Sequence, residues 1–297
     1  MITRWRKNTR IIIQDIVAGI ALYWLFIELS SYTTAGQVDI FARHPGIYFS
    51  VFFLITIYSV YKNRPKTTFK AKIRGKDLFI EIKVGDAFAN PGALIIPFNN
   101  YFDTNLNGNV AKARSIQNKL INDYYDGKPN LLQTDLKAKG ITNNPHPIGT
   151  TVEIDSHSKR FYLVVNSHKT ETNRVKASID DLILSLSGAW DYIANESSRN
   201  RNVTIPLLNT GHGRDPSLTK LATAKEIIAS YVDASKQVSV AEKLTISIHP
   251  DDIDNNLIDL DELSDYLYSV TSHYRQVTLS PYLDDEVTSS KVVNIES

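Results

Sequence analysis

Two apolar runs, each bounded by positive charge, occupy the first sixty or so residues and constrain this chain more than any other feature. The first runs from Ile11 to Leu29 and is interrupted by Gln14, Asp15 and Glu28. Its uncharged part, Ile16 to Ile27, is too short by itself for a bilayer, which takes about 20 residues. The run serves if Asp15 and Glu28 sit near the two interfaces. The second, Pro45 to Tyr61, has no charge, carries Phe49, Phe52 and Phe53, and is slightly short. Arg4, Arg6, Lys7 and Arg10 precede the first run; Lys62, Arg64, Lys66, Lys70, Lys72 and Arg74 follow the second; the loop between has one basic residue, Arg43. The excess of Lys and Arg on cytoplasmic flanks then places both ends in the cytoplasm. The pattern predicts a transmembrane hairpin over residues 1–62, with helices at about 11–29 and 45–61 and Ser30 to His44 as its turn. A buried hairpin in a water-soluble protein, a hairpin lying in the interface and a cleaved leader fit parts of the same pattern. The second basic-flanked run argues against cleavage. Asp15 and Glu28 are costly in lipid unless paired or wet, so they either snorkel or form a polar surface between protomers.

Charge divides the chain at the same place. Residues 1–74 hold 11 Lys/Arg against 3 Asp/Glu, and the remainder holds 22 against 29. A basic head on a mildly acidic body predicts contact between the head and an anionic lipid surface, and argues against a nucleic-acid-binding body. Residues 63–74 read as a basic juxtamembrane linker, 75–277 as the folded body and 278–297 as a polar, frayed tail. There is no cysteine, which excludes disulfides, thiolate catalysis and Cys-ligated metal sites.

The body alternates strand and helix patterns. Phe69, Ala71 and Ile73, then Leu78, Ile80 and Ile82, alternate about a turn at Gly75-Lys76-Asp77. Ala93 to Pro97 is continuously apolar, like a buried central strand, and ends in a polar loop. Further strands are predicted to Ile154, over Phe161 to Asn166, Val203 to Leu208 and Leu244 to Ile248. Helices are predicted over Ala111 to Tyr124, Lys176 to Glu196, Thr219 to Tyr231, and Leu257 to Ser269 with Asp259 as its cap. This order gives an α/β fold, a mixed sheet flanked by helices on both faces.

Four segments carry more specific information. They are Ile82-Lys83-Val84-Gly85-Asp86-Ala87; Ala93-Leu94-Ile95-Ile96-Pro97-Phe98-Asn99-Asn100; Pro147-Ile148-Gly149-Thr150; and Ile205-Pro206-Leu207-Leu208-Asn209-Thr210-Gly211-His212-Gly213. In this order they resemble the macro domain, a binder of ADP-ribose and related nucleotides. With the apolar head, and with Tyr101-Phe102-Asp103-Thr104 after the Asn pair, the chain is similar to the membrane-linked macro effectors of type II Thoeris anti-phage systems. That resemblance implies a Toll/interleukin-receptor-domain enzyme as the source of an ADP-ribose-derived signal, a histidine conjugate in that type. It also implies a homo-oligomeric effector in the bacterial inner membrane that injures the membrane and arrests or kills the cell.

The resemblance assigns Asp86 to an adenine amino group, with Val84, Gly85 and Ala87 around it; an Asp at this place is also an ordinary helix or turn cap. Thr210, Gly211, His212 and Gly213 supply backbone N–H groups for a diphosphate, with Arg214 as a neutralising charge or a partner of Asp215. Asn99 and Asn100 offer amides to the distal ribose or close an Asx turn. Gly149 lies in the third segment. Phe98, Tyr101 and Phe102 stack on a ring or fill the core. Hydrolytic macro domains carry consecutive glycines after the Asn pair, whereas Thr104 to Val110 has one, Gly108. The expectation is a binder with no catalytic residues, no metal and no cofactor. A membrane-anchored ADP-ribosyl hydrolase and a non-binding membrane scaffold are the alternatives. The histidines lack ligand spacing, and no Gly-x-Ser-x-Gly elbow is present.

Overall fold

The computed structural model describes residues 2–33, 45–104, 115–142, 144–171, 174–196, 202–208 and 218–272. Two helices, α1 (Ile2–Thr33) and α2 (Pro45–Lys62), form the head. They pack antiparallel, with Ile12 opposite Ser59 and Gly19 opposite Ile55. Between them the polar groups are turned inward. Ser59 Oγ donates to the Ile12 carbonyl at 3.1 Å, Asn8 Nδ2 to the Asn63 carbonyl at 2.7 Å, and Asn63 Nδ2 and Lys62 Nζ both reach Asp15 Oδ2, at 2.9 and 3.0 Å. Asp15 is therefore paired across the helices. Most apolar side chains of both helices stand open. One stretch, Asn8–Leu29, is long and apolar enough to cross a membrane; the apolar part of α2, Phe49–Lys62, is shorter than that. Of the two spans expected, only the first has the length and apolar character to cross a membrane; α2 packs beside it with a shorter apolar stretch.

The body is a sheet of eight strands among the described residues: β1 (Thr68–Lys72), β2 (Phe79–Val84), β3 (Ala93–Asn99), β4 (Thr151–Ser156), β5 (Lys159–Lys169), β6 (Val175–Lys176), β7 (Asn202–Pro206) and β8 (Lys243–Ile248). Their order is β1-β2-β8-β7-β3-β5-β4, with β6 on β5. The five inner strands from β2 to β5 are parallel; β1 and β4 close the two edges antiparallel. On one face lie α5 (Ile179–Glu196), α6 (Lys220–Gln237) and α8 (Leu260–Ser272). On the other lie α3 (Ile116–Tyr124) and α4 (Pro129–Ala138). The period-2 alternation sorts the strands between them: Ile80, Ile82, Ile95, Ile205 and Ile246 face α5, α6 and α8, while Leu94, Ile96, Phe98, Leu163 and Val165 face α3 and α4.

The helices start where short polar side chains cap them. Ser115 and Thr219 accept from N–H groups three residues on, and Asp259 accepts from the Asp261 N–H at 2.8 Å, the cap expected from the sequence. Ser178 and Asp181 cap α5 reciprocally, at 3.1 and 2.8 Å. Two helices have no counterpart in the sequence reading, α4 and the five-residue α7 (Pro250–Asp254). The domain boundary also needs correcting. Residues 63–74 are not a free linker, because Thr68–Lys72 is edge strand β1, with Phe69 and Ala71 buried in the core. The link from α2 to the sheet is Asn63 to Thr67, five residues. Of the turn expected over Ser30 to His44, the first residues continue α1 to Thr33 and 34–44 lie outside the described residues, as do 105–114 and the expected tail 278–297.

Candidate functional site

The sheet order reverses between β3 and β7. From β3 the chain moves outward through α3, α4 and β4 to β5; from β5 it returns through α5 to β7 on the opposite side of β3. The connection after β3 leads to one face and the connection after β7 to the other, so a crevice opens at their carboxyl ends. Open α/β sheets hold ligands at such a switch point. The segments after β2, β3, β5, β7 and β8 meet at this end.

Gly85 leaves β2 with φ +152, a conformation glycine reaches without strain. Its N–H donates to the Ile248 carbonyl at 2.9 Å, and its carbonyl accepts from Ser247 Oγ at 2.9 Å, so the turn is tied to the end of β8. Val84, half-buried, donates its N–H to the Thr67 carbonyl at 2.9 Å. Asp86 then caps the 3-10 turn Ala87–Ala89, its Oδ1 accepting from the Phe88 N–H at 3.0 Å. Its Oδ2 meets Lys119 Nζ on α3, and the side chain remains 46% exposed. Burial pushes the Asp86 carboxyl up, but the Lys119 ammonium, the Phe88 N–H and the charge of Lys159 outweigh it and hold the group below the usual carboxylate range. Asp86 is thus an ionised, accessible acceptor on a capped turn. Ala87 is buried against the α3 and α4 side of the core. Lys159 Nζ donates to the Phe88 and Asn90 carbonyls, at 2.5 and 3.0 Å, and fixes the far side of the turn.

The side-chain oxygens of the Asn pair serve the fold. Asn99 Oδ1 accepts from the Tyr101 and Asp103 N–H groups at 3.0 and 3.2 Å, closing an Asx turn. Asn100 is buried; its N–H donates to the Ser167 carbonyl at 2.9 Å, and its Oδ1 accepts from the Lys169 N–H at 2.8 Å, joining the ends of β3 and β5. Phe98 has no exposed surface and packs on Phe102, so it is core and presents no face to a ring. Phe102 is buried too, at φ +48, against Phe98 and His146. Tyr101 remains exposed, with Lys169 Nζ 5.9 Å from its ring centre. Gly149 has φ +89, and a Cβ there would lie 2.7 Å from the Leu184 carbonyl oxygen; its glycine is required by packing on α5. Thr210, Gly211, His212, Gly213 and Arg214 lie outside the described residues, between the buried anchors Leu208 and Leu218.

Cation contacts between distant residues are what the sequence did not reveal. Lys119 and Lys159 converge on the Asp86 turn, and Lys169 pairs with Asp103 at 2.8 Å. Lys220, at the start of α6, pairs with Asp252 of α7, both largely buried. Each pair joins residues at least 32 positions apart, and no local pattern signals such contacts. Among the described residues no group of three His, Asp or Glu is placed to hold a metal ion.

Known proteins resemble this chain. The family model for the macro domain of Thoeris protein ThsA matches residues 80–249. The Thoeris protein ThsA of Bacillus amyloliquefaciens (strain Y2) is 28% identical over 145 residues, 44% of this chain and 48% of the relative. The chain thus spans about half the length of the curated relative it matches. Among solved structures, the Oceanobacillus iheyensis macrodomain with MES bound aligns at 15% identity and TM-score 0.48, covering 67% of this chain and 96% of that one. A mutant of that macrodomain with ADPR aligns at 15% and 0.48, covering 67% and 98%. The family match takes in more than half of the residues, from the start of the first parallel strand to just past the last, and by it the chain belongs to the macro-domain family of Thoeris protein ThsA.

Proposed function

We propose that this chain is a membrane-anchored sensor whose macro domain takes an ADP-ribose-class nucleotide in the crevice between β3 and β7. The observation that carries the reading is the reversal of strand order at that crevice in a chain of the ThsA macro family, with an ionised Asp86 open beside it. The adenine amino group would donate to Asp86, and the diphosphate would lie along Thr210 to Gly213. The signal is a conjugate of ADP-ribose, with histidine as the attached group, made by a Toll/interleukin-receptor-domain enzyme. The anchor is α1, with α2 packed along it. Occupancy changes how copies of the chain assemble through their heads, and the rearranged heads injure the membrane and arrest or kill the cell. A ligand shifts such an equilibrium only through different affinity for the two states.

Binding without turnover is favoured by the single glycine in Thr104 to Val110, since a catalytic loop must approach the diphosphate closely to place water. The test is calorimetry with ADP-ribose. Asp86→Ala removes a charge-assisted hydrogen bond and weakens binding by about 1.5–3 kcal/mol; Gly211→Glu weakens it further by repelling phosphate. Unchanged dissociation constants would rule out this placement. Steady release of ADP-ribose from an ADP-ribosylated protein would make the chain a hydrolase instead.

A further inference from the structure

Of Phe98, Tyr101 and Phe102, only Tyr101 is open, and the amides of the Asn pair decide what stands beside it. Asn99 Oδ1 holds the N–H groups of both Tyr101 and Asp103, at 3.0 and 3.2 Å, while Phe102 between them turns into the core at φ +48. Asn100 Oδ1 holds the Lys169 N–H at 2.8 Å, which fixes the end of β5 against this turn. Lys169 Nζ then donates to Asp103 Oδ2 at 2.8 Å and lies 5.9 Å from the Tyr101 ring centre. The Lys169 and Asp103 side chains are 27% and 22% exposed, and Tyr101 is 39% exposed. A cation, an anion and an open ring are thus held side by side where β3 and β5 end.

The sheet sets the distance from this cluster to Asp86. Asp86 follows β2, and the order β2-β8-β7-β3-β5 puts four strand spacings between β2 and β5, about 19 Å at the usual separation. The crevice between β7 and β3 lies between the two. A nucleotide with its adenine at Asp86 and its diphosphate over the crevice therefore carries its distal ribose toward Tyr101, Asp103 and Lys169. An extended ADP-ribose has that reach.

The chemistry of the cluster selects what is attached to that ribose. Lys169 and Asp103 offset each other, so a lone anion or a lone cation gains little beside them. A zwitterion laid along the pair in the opposite sense sets its carboxylate by Lys169 and its ammonium by Asp103, and both contacts are charge-assisted. The exposed face of Tyr101 offers a flat ring a surface to stack on.

We propose that Tyr101, Asp103 and Lys169 form a subsite for the group that the signal carries on its distal ribose, and that this group is a zwitterionic amino acid with a flat ring. The proposal rests on the nucleotide reading above and deepens it by naming the residues that recognise the attached group.

The test is calorimetry on the full chain in nanodiscs with three probes. They are ADP-ribose, ADP-ribose joined at C1 of its distal ribose to a ring nitrogen of histidine, and the same conjugate of histamine, which keeps the ammonium and lacks the carboxylate. The quantity read is the ratio of each conjugate's dissociation constant to that of ADP-ribose in the same variant. A purely structural role for the three residues would move all probes together and leave the ratio alone. The parent is expected to bind the histidine conjugate about tenfold or more tightly than ADP-ribose, and tighter than the histamine conjugate, as one or more charge-assisted hydrogen bonds require. Lys169→Gln removes the partner of the carboxylate and leaves the subsite negative, so the order of the two conjugates inverts. Tyr101→Ala, whose turn is held by backbone N–H groups, decides the matter if the first variant does not fold; it brings both conjugates close to ADP-ribose. A parent that binds ADP-ribose and the histidine conjugate equally would overturn the subsite, as would an unchanged order in Lys169→Gln or an unchanged preference in Tyr101→Ala. Binding of none of the probes to the parent would sink the sensor reading and the subsite with it.

Discussion

In the sheet, Ile80, Leu94 and Phe98 have no exposed surface, whereas in α1 Leu22, Trp24 and Phe26 are 67%, 65% and 63% open. The polar groups reverse in the same way. The head turns Ser59, Asn63 and Asp15 toward its helix–helix contact, and the body keeps most of its charge outside. Burying one such apolar side chain is worth about 1.5–3 kcal/mol in water. A head that leaves so many open fits the membrane anchor proposed above, and the pairing of Asp15 with Lys62 and Asn63 fits the same proposal. The body is built for water, with a core on each face of its sheet. On that proposal one chain carries two solvation rules, and they change over within the five residues from Asn63 to Thr67.

The largest effect that tests this contrast is removal of the head. A chain lacking residues 1–61 is expected to stay in solution without detergent and to bind ADP-ribose as the parent does, while the parent sediments with membranes. Flotation on liposomes beside calorimetry on the truncated body makes the measurement. A truncated body that still floats with the liposomes would show that the body, and not α1, carries the membrane affinity.

The second effect separates the two solvation rules residue by residue. Ile246 sits in β8 with no exposed surface, in the core under α6. Ile246→Ala should cost about 2–5 kcal/mol in chemical denaturation of the body, as cavities in closed cores do. Leu22→Ala, which removes an equally apolar but open side chain, should leave that transition where it was. A loss of body stability from the head substitution would mean that the two regions unfold as one unit.

How much of this was legible in the sequence follows the same divide. Period-2 alternation exposed the strands, and with it the fate of Phe98 was readable, since Phe98 shares its phase with Leu94 and Ile96 on the α3 and α4 side. The alternation of Phe69, Ala71 and Ile73 marks strand β1, while Lys70 and Lys72 continue a run of positive charge that reads as a linker over the same residues; the alternation is the better signal. Helix α7 is five residues long, too short for a periodic pattern, and only Pro250 with Asp251 and Asp252 in the first turn marks it. At the site, Gly85 and Asp86 carried a local motif and lie where it implied, at the end of β2. Asn99 and Asn100 carried one as well; the Asn99 amide closes a local turn and the Asn100 amide ties the ends of β3 and β5. Lys119, Lys159 and Lys220 carried none, because their partners are distant in the chain.

The smallest effect compares two glycines that let elements approach closely, one in each region. Gly188 on α5 faces the turn at Gly149, and an added Cβ would lie 2.2 Å from the Gly149 carbonyl oxygen and 2.7 Å from its Cα. Gly19 on α1 faces α2, and its Cβ would lie 2.8 Å from Ile55 Cγ2. Both positions are helical, so alanine brings each the same gain, about 0.8–1 kcal/mol of helix propensity. The obstacles differ. At Gly188 the atoms met are backbone, in a turn whose own glycine has φ +89 and is bonded to Val165, and they cannot move without disturbing β5. At Gly19 the atom met is a side-chain methyl of half-buried Ile55, whose χ1 the helix holds, and the contact is relieved by a small separation of two helices whose apolar side chains otherwise stand mostly open. Gly188→Ala is therefore expected to destabilise the body by about 1–3 kcal/mol net, the usual cost of overpacking. Gly19→Ala should change the thermal loss of helix signal in micelles by less than about 1 kcal/mol, its propensity gain offsetting the small separation of the helices. Denaturant midpoints for the first and circular dichroism for the second give the comparison. A stabilised Gly188→Ala body would show that the turn at Gly149 is free to give way, and the contrast between a close-packed body and a yielding head would fail at the contact where it is sharpest.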